Sequence, residues 1–278
     1  MEEKVFFNSK VIDASQAVLF ATSPAALYGA GLFETMRSYK GRIVCLAEHF
    51  DRLKRSVRSV GLKIPYSSQK LQLQIKELVK INKLEDAYVR LTVWKNSKNS
   101  SDVFICARKH KPLSRAKYDQ GFSCMVSSLR QNEGSFLSQI KSTNYLFFLT
   151  AYEQALKSGF DEAIILNNQG YVAEASRANI FLVKNNEILT PKLENGCLDG
   201  ITRRVVLGLA KKIDVACREA SFTLQDLYNA QEVFLTNSLL GIMRVDSIEG
   251  IKISAMRGAE SIIELLAKEY ERLVKNAR

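Results

Sequence analysis

Ile140-Lys141-Ser142-Thr143-Asn144-Tyr145-Leu146-Phe147 is the stretch around which the rest of the chain is organised. Lys141 stands just ahead of a segment with helical spacing, with apolar residues at Leu146, Leu149, Ala155 and Leu156 and a stop at Gly159. A charged lysine there would face the positive end of the helix macrodipole. The position suits an amine held in a neutral or shared-proton bond, as in a Schiff base. Taken alone, the segment reads more plainly as a solvated surface lysine, and the surrounding sequence decides between the two.

The frame around it is that of an ordinary globular chain. The 278 residues suffice for two modest domains, and 46% apolar with 25% charged residues is a soluble composition. No apolar run reaches the length of a membrane span, and Met1-Glu2-Glu3-Lys4 does not open like a signal peptide, so a cytoplasmic protein without membrane partners is expected. Five scattered cysteines without a Cys-x-x-Cys pair imply reduced thiols rather than disulfides or zinc. With His49 and His110 the only histidines, no metal is expected. The net charge of +11 keeps nucleic acid in view as a rival ligand. The basic residues are spread along the chain and no nucleic-acid-binding signature is present, so that reading is set aside.

Before the lysine, residues 4–12 read as a hairpin turning at Asn8-Ser9. A second hairpin, Leu32–Tyr39 with Arg42–Leu46, turns at Lys40-Gly41. Tyr28-Gly29-Ala30-Gly31 lacks the third glycine and the following helix of a dinucleotide fingerprint. A helix over 47–60 buries Leu46, Phe50, Leu53 and Val57 and leaves His49 and Arg52 off its core stripe; a second covers 68–81. Ala87–Trp94 alternates, with Val89, Leu91 and Val93 inward, while Tyr88, Arg90, Thr92 and Trp94 form a face suited to a ligand cleft. Asp102–Arg108 is the return strand.

The polar stretch Arg108–Arg115 marks a boundary. It divides a smaller N-terminal α/β domain (1–113), a linker (114–120) and a larger C-terminal domain (121–278) carrying Lys141. Beyond the lysine, strands are expected at 162–166, 179–183, 188–190, 232–236 and 241–245. Gly200 opens a helix with Val205, Val206, Leu209 and Ala210 inward. A closing helix over 256–275 carries Ile262, Ile263, Leu266, Tyr270 and Leu273. Strands and helices mix without regular β-α-β alternation, giving two α/β or α+β domains.

Four further features accompany the lysine. Gly200-Ile201-Thr202 puts backbone N–H groups and a hydroxyl at a helix N-terminus, where anions bind; an ordinary cap is the alternative. Thr236-Asn237-Ser238 adds hydroxyls at a strand end. Arg52 offers a cation, and Glu174 a carboxylate among small residues. Together these resemble the set that pyridoxal 5′-phosphate requires: a Schiff-base lysine, an acid for the pyridine nitrogen and an anion cup.

The motifs, in order, are Tyr28-Gly29-x-Gly31-x-Phe33-Glu34, Glu48-His49-x-x-Arg52-Leu53, Tyr88-x-Arg90, Lys141-x-x-Asn144-Tyr145-Leu146, Glu174-x-Ser176-x-x-Asn179-Ile180-Phe181, Gly200-Ile201-Thr202-Arg203 and Glu232–Ser238. Over essentially the whole chain this series resembles the fold-type IV (class IV) pyridoxal-phosphate enzymes. That group contains branched-chain and D-amino-acid aminotransferases and aminodeoxychorismate lyases. The resemblance implies a two-domain fold of the D-amino-acid aminotransferase type with the site between the domains, in a homodimer whose partner contributes to the pocket. It implies that Lys141 carries the cofactor and acts as general base, that Glu174 pairs with the pyridine nitrogen, and that Tyr145 lies near the phenolate oxygen. Arg52, Ile201, Thr202 and Ser238 would hold the phosphate. Tyr28, Phe33, Arg90, Arg177 and Leu239 would line the site of a small amino substrate, with Arg177 or Arg90 on its carboxylate.

Within the family, Thr35 stands where branched-chain aminotransferases typically carry glycine, and Leu235–Leu240 resembles the lyases. Tyr88-Val89-Arg90 resembles the branched-chain aminotransferases. The balance points to 4-amino-4-deoxychorismate lyase, releasing pyruvate and 4-aminobenzoate, with a transaminase for branched-chain L-amino acids or D-amino acids as the alternative.

Overall fold

The computed structural model describes residues 3–253 and 261–276. Two compact units divide the chain. The first comprises Met1–Lys111, Ile140–Asn144 and Val274–Arg278, the second Pro112–Gln139 and Tyr145–Leu273.

The first unit contains β1 (Lys4–Phe7), β2 (Lys10–Asp13), α1 (Pro24–Tyr28), β3 (Gly31–Tyr39), β4 (Arg42–Ile43), α2 (Leu46–Ser59), α3 (Ser68–Ile81), β5 (Asp86–Lys95) and β6 (Ser101–Lys109). Its six strands form an antiparallel sheet in the order β2-β1-β6-β5-β3-β4. Both hairpin turns use left-handed residues, Asn8-Ser9 and Lys40-Gly41, whose twist matches that of the flanking strands. The inward phase of β5, Val89, Leu91 and Val93, is fully buried with Leu71, Ile75 and Leu78 of α3 and Phe50 and Leu53 of α2.

The second unit contains α4 (Arg115–Gln120), β7 (Phe122–Gln131), α5 (Leu146–Lys157), β8 (Glu162–Asn167), β9 (Val172–Ala175), β10 (Asn179–Lys184), β11 (Glu187–Pro191), α6 (Ile201–Lys212), β12 (Cys217–Ala220), α7 (Leu224–Tyr228), β13 (Glu232–Asn237), β14 (Gly241–Ile248), β15 (Ile251–Lys252) and α8 (Ile262–Asn276) up to Leu273. Its sheet runs β12-β11-β10-β13-β14-β7-β8-β9, with β15 on β14. Parallel pairs (β11/β12, β14/β7, β7/β8) and antiparallel ones share this sheet, which makes the fold mixed α/β. Buried Glu232 accepts from the Ile262 and Ile263 amides at 2.9 and 3.3 Å and so caps α8 from the sheet.

Several sequence expectations are corrected. Ser114–Gln120, read as the linker, carries α4 with Ser114 as its cap. Of the apolar residues expected along α5, Ala155 is buried, whereas Leu146 is 76% exposed and Leu149 and Leu156 are also exposed. Ala151 is buried with Ala155 where the helix packs on β7 and β8. In α6, Arg203 is buried and Val205 only half-buried. The Arg203 guanidinium reaches the Pro191 carbonyl at 2.8 Å and Glu219 at 3.1 Å, so paired contacts permit its burial. In α8, Val274 rather than Leu273 is buried, and residues 256–260 of the expected closing helix lie outside the described residues.

Candidate active site

In the first unit, Lys141 lies in an extended segment laid along the start of β3. The Phe33 amide donates to the Lys141 carbonyl and the Thr143 amide to the Gly31 carbonyl, each at 2.9 Å. This arrangement requires a glycine at position 31. A Cβ there would meet Trp94, Thr143 and the Val93 carbonyl at 2.7–2.9 Å. The lysine was expected with the C-terminal domain at a helix N-terminus; instead it belongs to the first unit. The cap of α5 is Tyr145 and its first residue is Leu146, so Lys141 lies outside the turn in which the macrodipole acts. The half-buried amine instead lies 4.6 Å from the centroid of the Phe33 ring. The Arg90 guanidinium also lies over that ring at 3.7 Å, and Arg90 Nε donates to Thr92 Oγ1 at 3.2 Å. The outward face of β5 and β3 thus joins Phe33, Arg90 and Thr92. Tyr28 is 71% exposed at the end of α1.

Arg52 and His49 are buried, contrary to the reading that left them off the core stripe, and Glu34 is the reason. Arg52 Nε donates to Glu34 Oε1 at 2.8 Å and Nη2 to Oε2 at 2.5 Å, while His49 Nδ1 lies 2.7 Å from Oε2. Burial alone would raise the Glu34 carboxyl, but Arg52 foremost and His49 outweigh it and hold it down to about 2. Burial lowers His49 against the opposing pull of Glu34, so the imidazole is neutral at pH 7 and its Nδ1–H donates to the carboxylate. Glu34 and His49 were missed as site residues. The available signal was phase, since Glu34 falls on β3 between Leu32 and Met36, both core-facing.

In the second unit, β9 buries Glu174, whose Oε2 accepts from the Leu198 amide at 3.2 Å. Asn179 holds the same residue from the other side, Nδ2 donating to the Leu198 carbonyl at 2.8 Å. The two side chains fix the approach to α6. Gly200 is obligatory there, because a Cβ would lie 1.9 Å from Asn179 Oδ1. No side chain caps α6, and Ile201 and Thr202 are buried in its first turn. Asn179 pairs across the sheet with Thr236, whose buried hydroxyl has no hydrogen-bond partner among the described residues. The next turn carries Ser238 and half-buried Leu239. Asn237 Oδ1 accepts from the Leu239 and Leu240 amides at 2.9 and 2.8 Å. Tyr145 donates its hydroxyl to the Ser176 carbonyl at 3.1 Å.

Arg177 lies in the turn after β9, so strict strand alternation does not apply to it. Its Nε is 3.5 Å from Glu162 Oε2, and its guanidinium lies 3.3 Å from the centroid of the Tyr152 ring.

These residues suit a phosphorylated pyridine cofactor. The uncapped helix end beside an orphaned buried hydroxyl is a cradle for an anion, and a buried carboxylate and a lysine amine are available as acid–base groups. Among the described residues no group of acidic, histidine and cysteine side chains can hold a metal, and no helix is long and apolar enough to cross a membrane.

Residues 31–248 match the family model for amino-transferase class IV. The chain is 34% identical over 275 residues to a putative branched-chain-amino-acid aminotransferase of Methanocaldococcus jannaschii, covering 95% of this chain and 94% of that one. It is 32% identical over 289 residues to the aminodeoxychorismate lyase of Bacillus subtilis, with 98% and 95% covered. The branched-chain aminotransferase of Thermoproteus uzoniensis, solved with norvaline, superposes with a TM-score of 0.90 at 31% identity, over 99% of this chain and 95% of that one. A further branched-chain amino acid aminotransferase, from T.th. and solved with pyridoxamine 5′-phosphate, gives a TM-score of 0.93 at 27% identity, over 100% and 96% of the two chains. The chain belongs to the class IV aminotransferases and is a pyridoxal 5′-phosphate-dependent enzyme.

Proposed function

We propose that this protein is a transaminase for branched-chain amino acids. The observation that carries the reading is the engagement of Arg177. A dicarboxylate such as 4-amino-4-deoxychorismate calls for additional cationic recognition, and Arg177 already faces Glu162 with its Nε and stacks on Tyr152. Lys141 instead has an aromatic neighbour, Phe33, suited to an apolar side chain. The names of the M. jannaschii relative and of the two solved aminotransferases support the same reading. Aminodeoxychorismate lyase is the second reading, favoured by the B. subtilis relative and by Thr35.

When bound, pyridoxal 5′-phosphate supplies an electron-withdrawing ring that acidifies the proton on the substrate α-carbon. Lys141 Nζ, beside the Phe33 ring, would carry the cofactor and move that proton. Glu174, buried and fixed by the Leu198 amide, keeps the pyridine nitrogen protonated. Tyr145, whose hydroxyl donates to the Ser176 carbonyl, would turn that one proton to the phenolate oxygen of the bound cofactor. Arg52, oriented by Glu34, the α6 end with Ile201 and Thr202, and Ser238 would be the groups that hold the phosphate. Arg90, fixed over Phe33, takes the substrate carboxylate, and Tyr28 and Leu239 border the side chain. A homodimer would cover the exposed Val18, Phe20 and Leu27, and five free thiols fit a cytoplasmic setting.

A substrate panel tests the assignment. L-Leucine with a keto-acid acceptor should react in preference to D-alanine and 4-amino-4-deoxychorismate. Release of 4-aminobenzoate and pyruvate without leucine turnover would establish the lyase instead.

A further inference from the structure

Glu162 is the first residue of β8 and fully buried, yet the chemistry above gives it no task. Its Oε1 accepts from the Ser176 hydroxyl and from the Ala163 amide, the latter at 2.9 Å, and its Oε2 faces Arg177 Nε at 3.5 Å. The Ser176 amide in turn donates to the Ala163 carbonyl at 2.9 Å. One carboxylate therefore holds Ser176 by a hydrogen bond and faces Arg177 as an ion pair, so it meets both residues of the turn that follows β9. The far side of that turn meets α5, where Arg177 lies over Tyr152 and the Ser176 carbonyl receives the Tyr145 hydroxyl. The Arg177 carbonyl receives Asn237 Nδ2 at 3.0 Å, which links the same turn to the Ser238 segment.

We propose that Glu162 is a positioning residue for the reaction: it anchors the Ser176–Arg177 turn and thereby sets the place of the Tyr145 ring, from which the hydroxyl can turn its single proton from the Ser176 carbonyl to the cofactor. A buried carboxylate is a costly way to fill space, since an apolar side chain of similar volume packs without a desolvation penalty. Its retention is understandable where it must hold a hydroxyl, an amide and a guanidinium in one geometry. Burial pushes the Glu162 carboxyl upward, opposed by Ser176 and Arg177, as expected for a charge whose partners are these two residues of the turn.

The inference rests on the reading of Tyr145 as the neighbour of the phenolate oxygen, and the experiment separates the two. The holoenzymes of Glu162→Gln, Ser176→Ala, Tyr145→Phe and the double variants are titrated by the pH dependence of cofactor absorbance, alongside kcat/KM for leucine. Tyr145→Phe and Glu162→Gln should each displace the absorbance midpoint in the same direction, by about 0.5 pH unit or more. Each should lower kcat/KM by about tenfold, whereas adding Glu162→Gln to Tyr145→Phe should cost less than about twofold more. Ser176→Ala should reproduce the displacement, which covers the case in which Glu162→Gln does not fold. A midpoint displaced by Tyr145→Phe but unmoved by Glu162→Gln and Ser176→Ala, or effects that multiply in the double variant, would overturn the proposal. A midpoint unmoved by Tyr145→Phe would overturn the reading of Tyr145, and the proposal with it.

Discussion

Replacing Glu34 by glutamine leaves the Arg52 guanidinium buried opposite a neutral amide, and two independent routes give the cost. The carboxyl falls from its usual 4.5 to about 2 in the folded protein. At about 1.36 kcal/mol per pH unit, that pairing contributes on the order of 3 kcal/mol. Removing one partner of a buried ion pair typically costs about 3–5 kcal/mol, because the other charge stays desolvated. The sign follows from the lowered value. The contribution is complete above the unfolded carboxyl's 4.5 and is lost as the pH falls toward 2. Thermal unfolding of the cofactor-free protein at pH 7 should therefore show Glu34→Gln melting about 6–12 °C below the parent, at about 2–4 °C per kcal/mol. The gap should close as the pH approaches 2. Affinity for pyridoxal 5′-phosphate should fall in the same variant, since Arg52 loses the carboxylate that orients it. A melting point within about 2 °C of the parent at pH 7 would mean that the triad contributes less than about 1 kcal/mol, and the reasoning would fail.

Glu174→Gln should retain the cofactor while slowing removal of the substrate α-proton severely, checked by absorbance and by the isotope effect with α-deuterated leucine. Gly200→Ala should destabilise the second unit by about 1–3 kcal/mol, because the new methyl collides with Asn179, and should weaken cofactor binding in equilibrium titration. Arg90→Ala should raise KM for leucine by about tenfold or more, in line with about 2–5 kcal/mol for a desolvated arginine–carboxylate contact. Arg177→Ala should leave that KM within about threefold of the parent while lowering the melting temperature, because Glu162 loses its counter-ion. Steady-state kinetics on both arginine variants decide between them.

Local rules were legible in the sequence wherever local physics governs. Asn8-Ser9, Lys40-Gly41 and Asn185-Asn186 adopt the left-handed turns that polar dipeptides between alternating strands suggest. The alternation of β5 gives the core phase of Val89, Leu91 and Val93 directly. The ordered motifs, from Phe33-Glu34 to Thr236-Asn237-Ser238, carried the resemblance to the family. Long-range pairing was not legible. Nothing in the sequence near Lys141 announces that its backbone pairs with β3, so the helix-dipole argument was attached to the wrong neighbour. Arg52 and His49 looked solvated because α2 was read without the carboxylate that β3 places against it. The exposed leucines of α5 misled for a related reason: apolar spacing does not tell which residues meet the sheet, and here Ala151 and Ala155 are buried where the helix packs on β7 and β8.

Borohydride reduction of the holoenzyme followed by peptide mapping tests the central claim most directly. The cofactor should be found on the peptide containing Lys141, and Lys141→Ala should lose both the reducible link and turnover while keeping its fold by circular dichroism. Recovery of the cofactor on any other lysine, or turnover surviving in Lys141→Ala, would contradict the account.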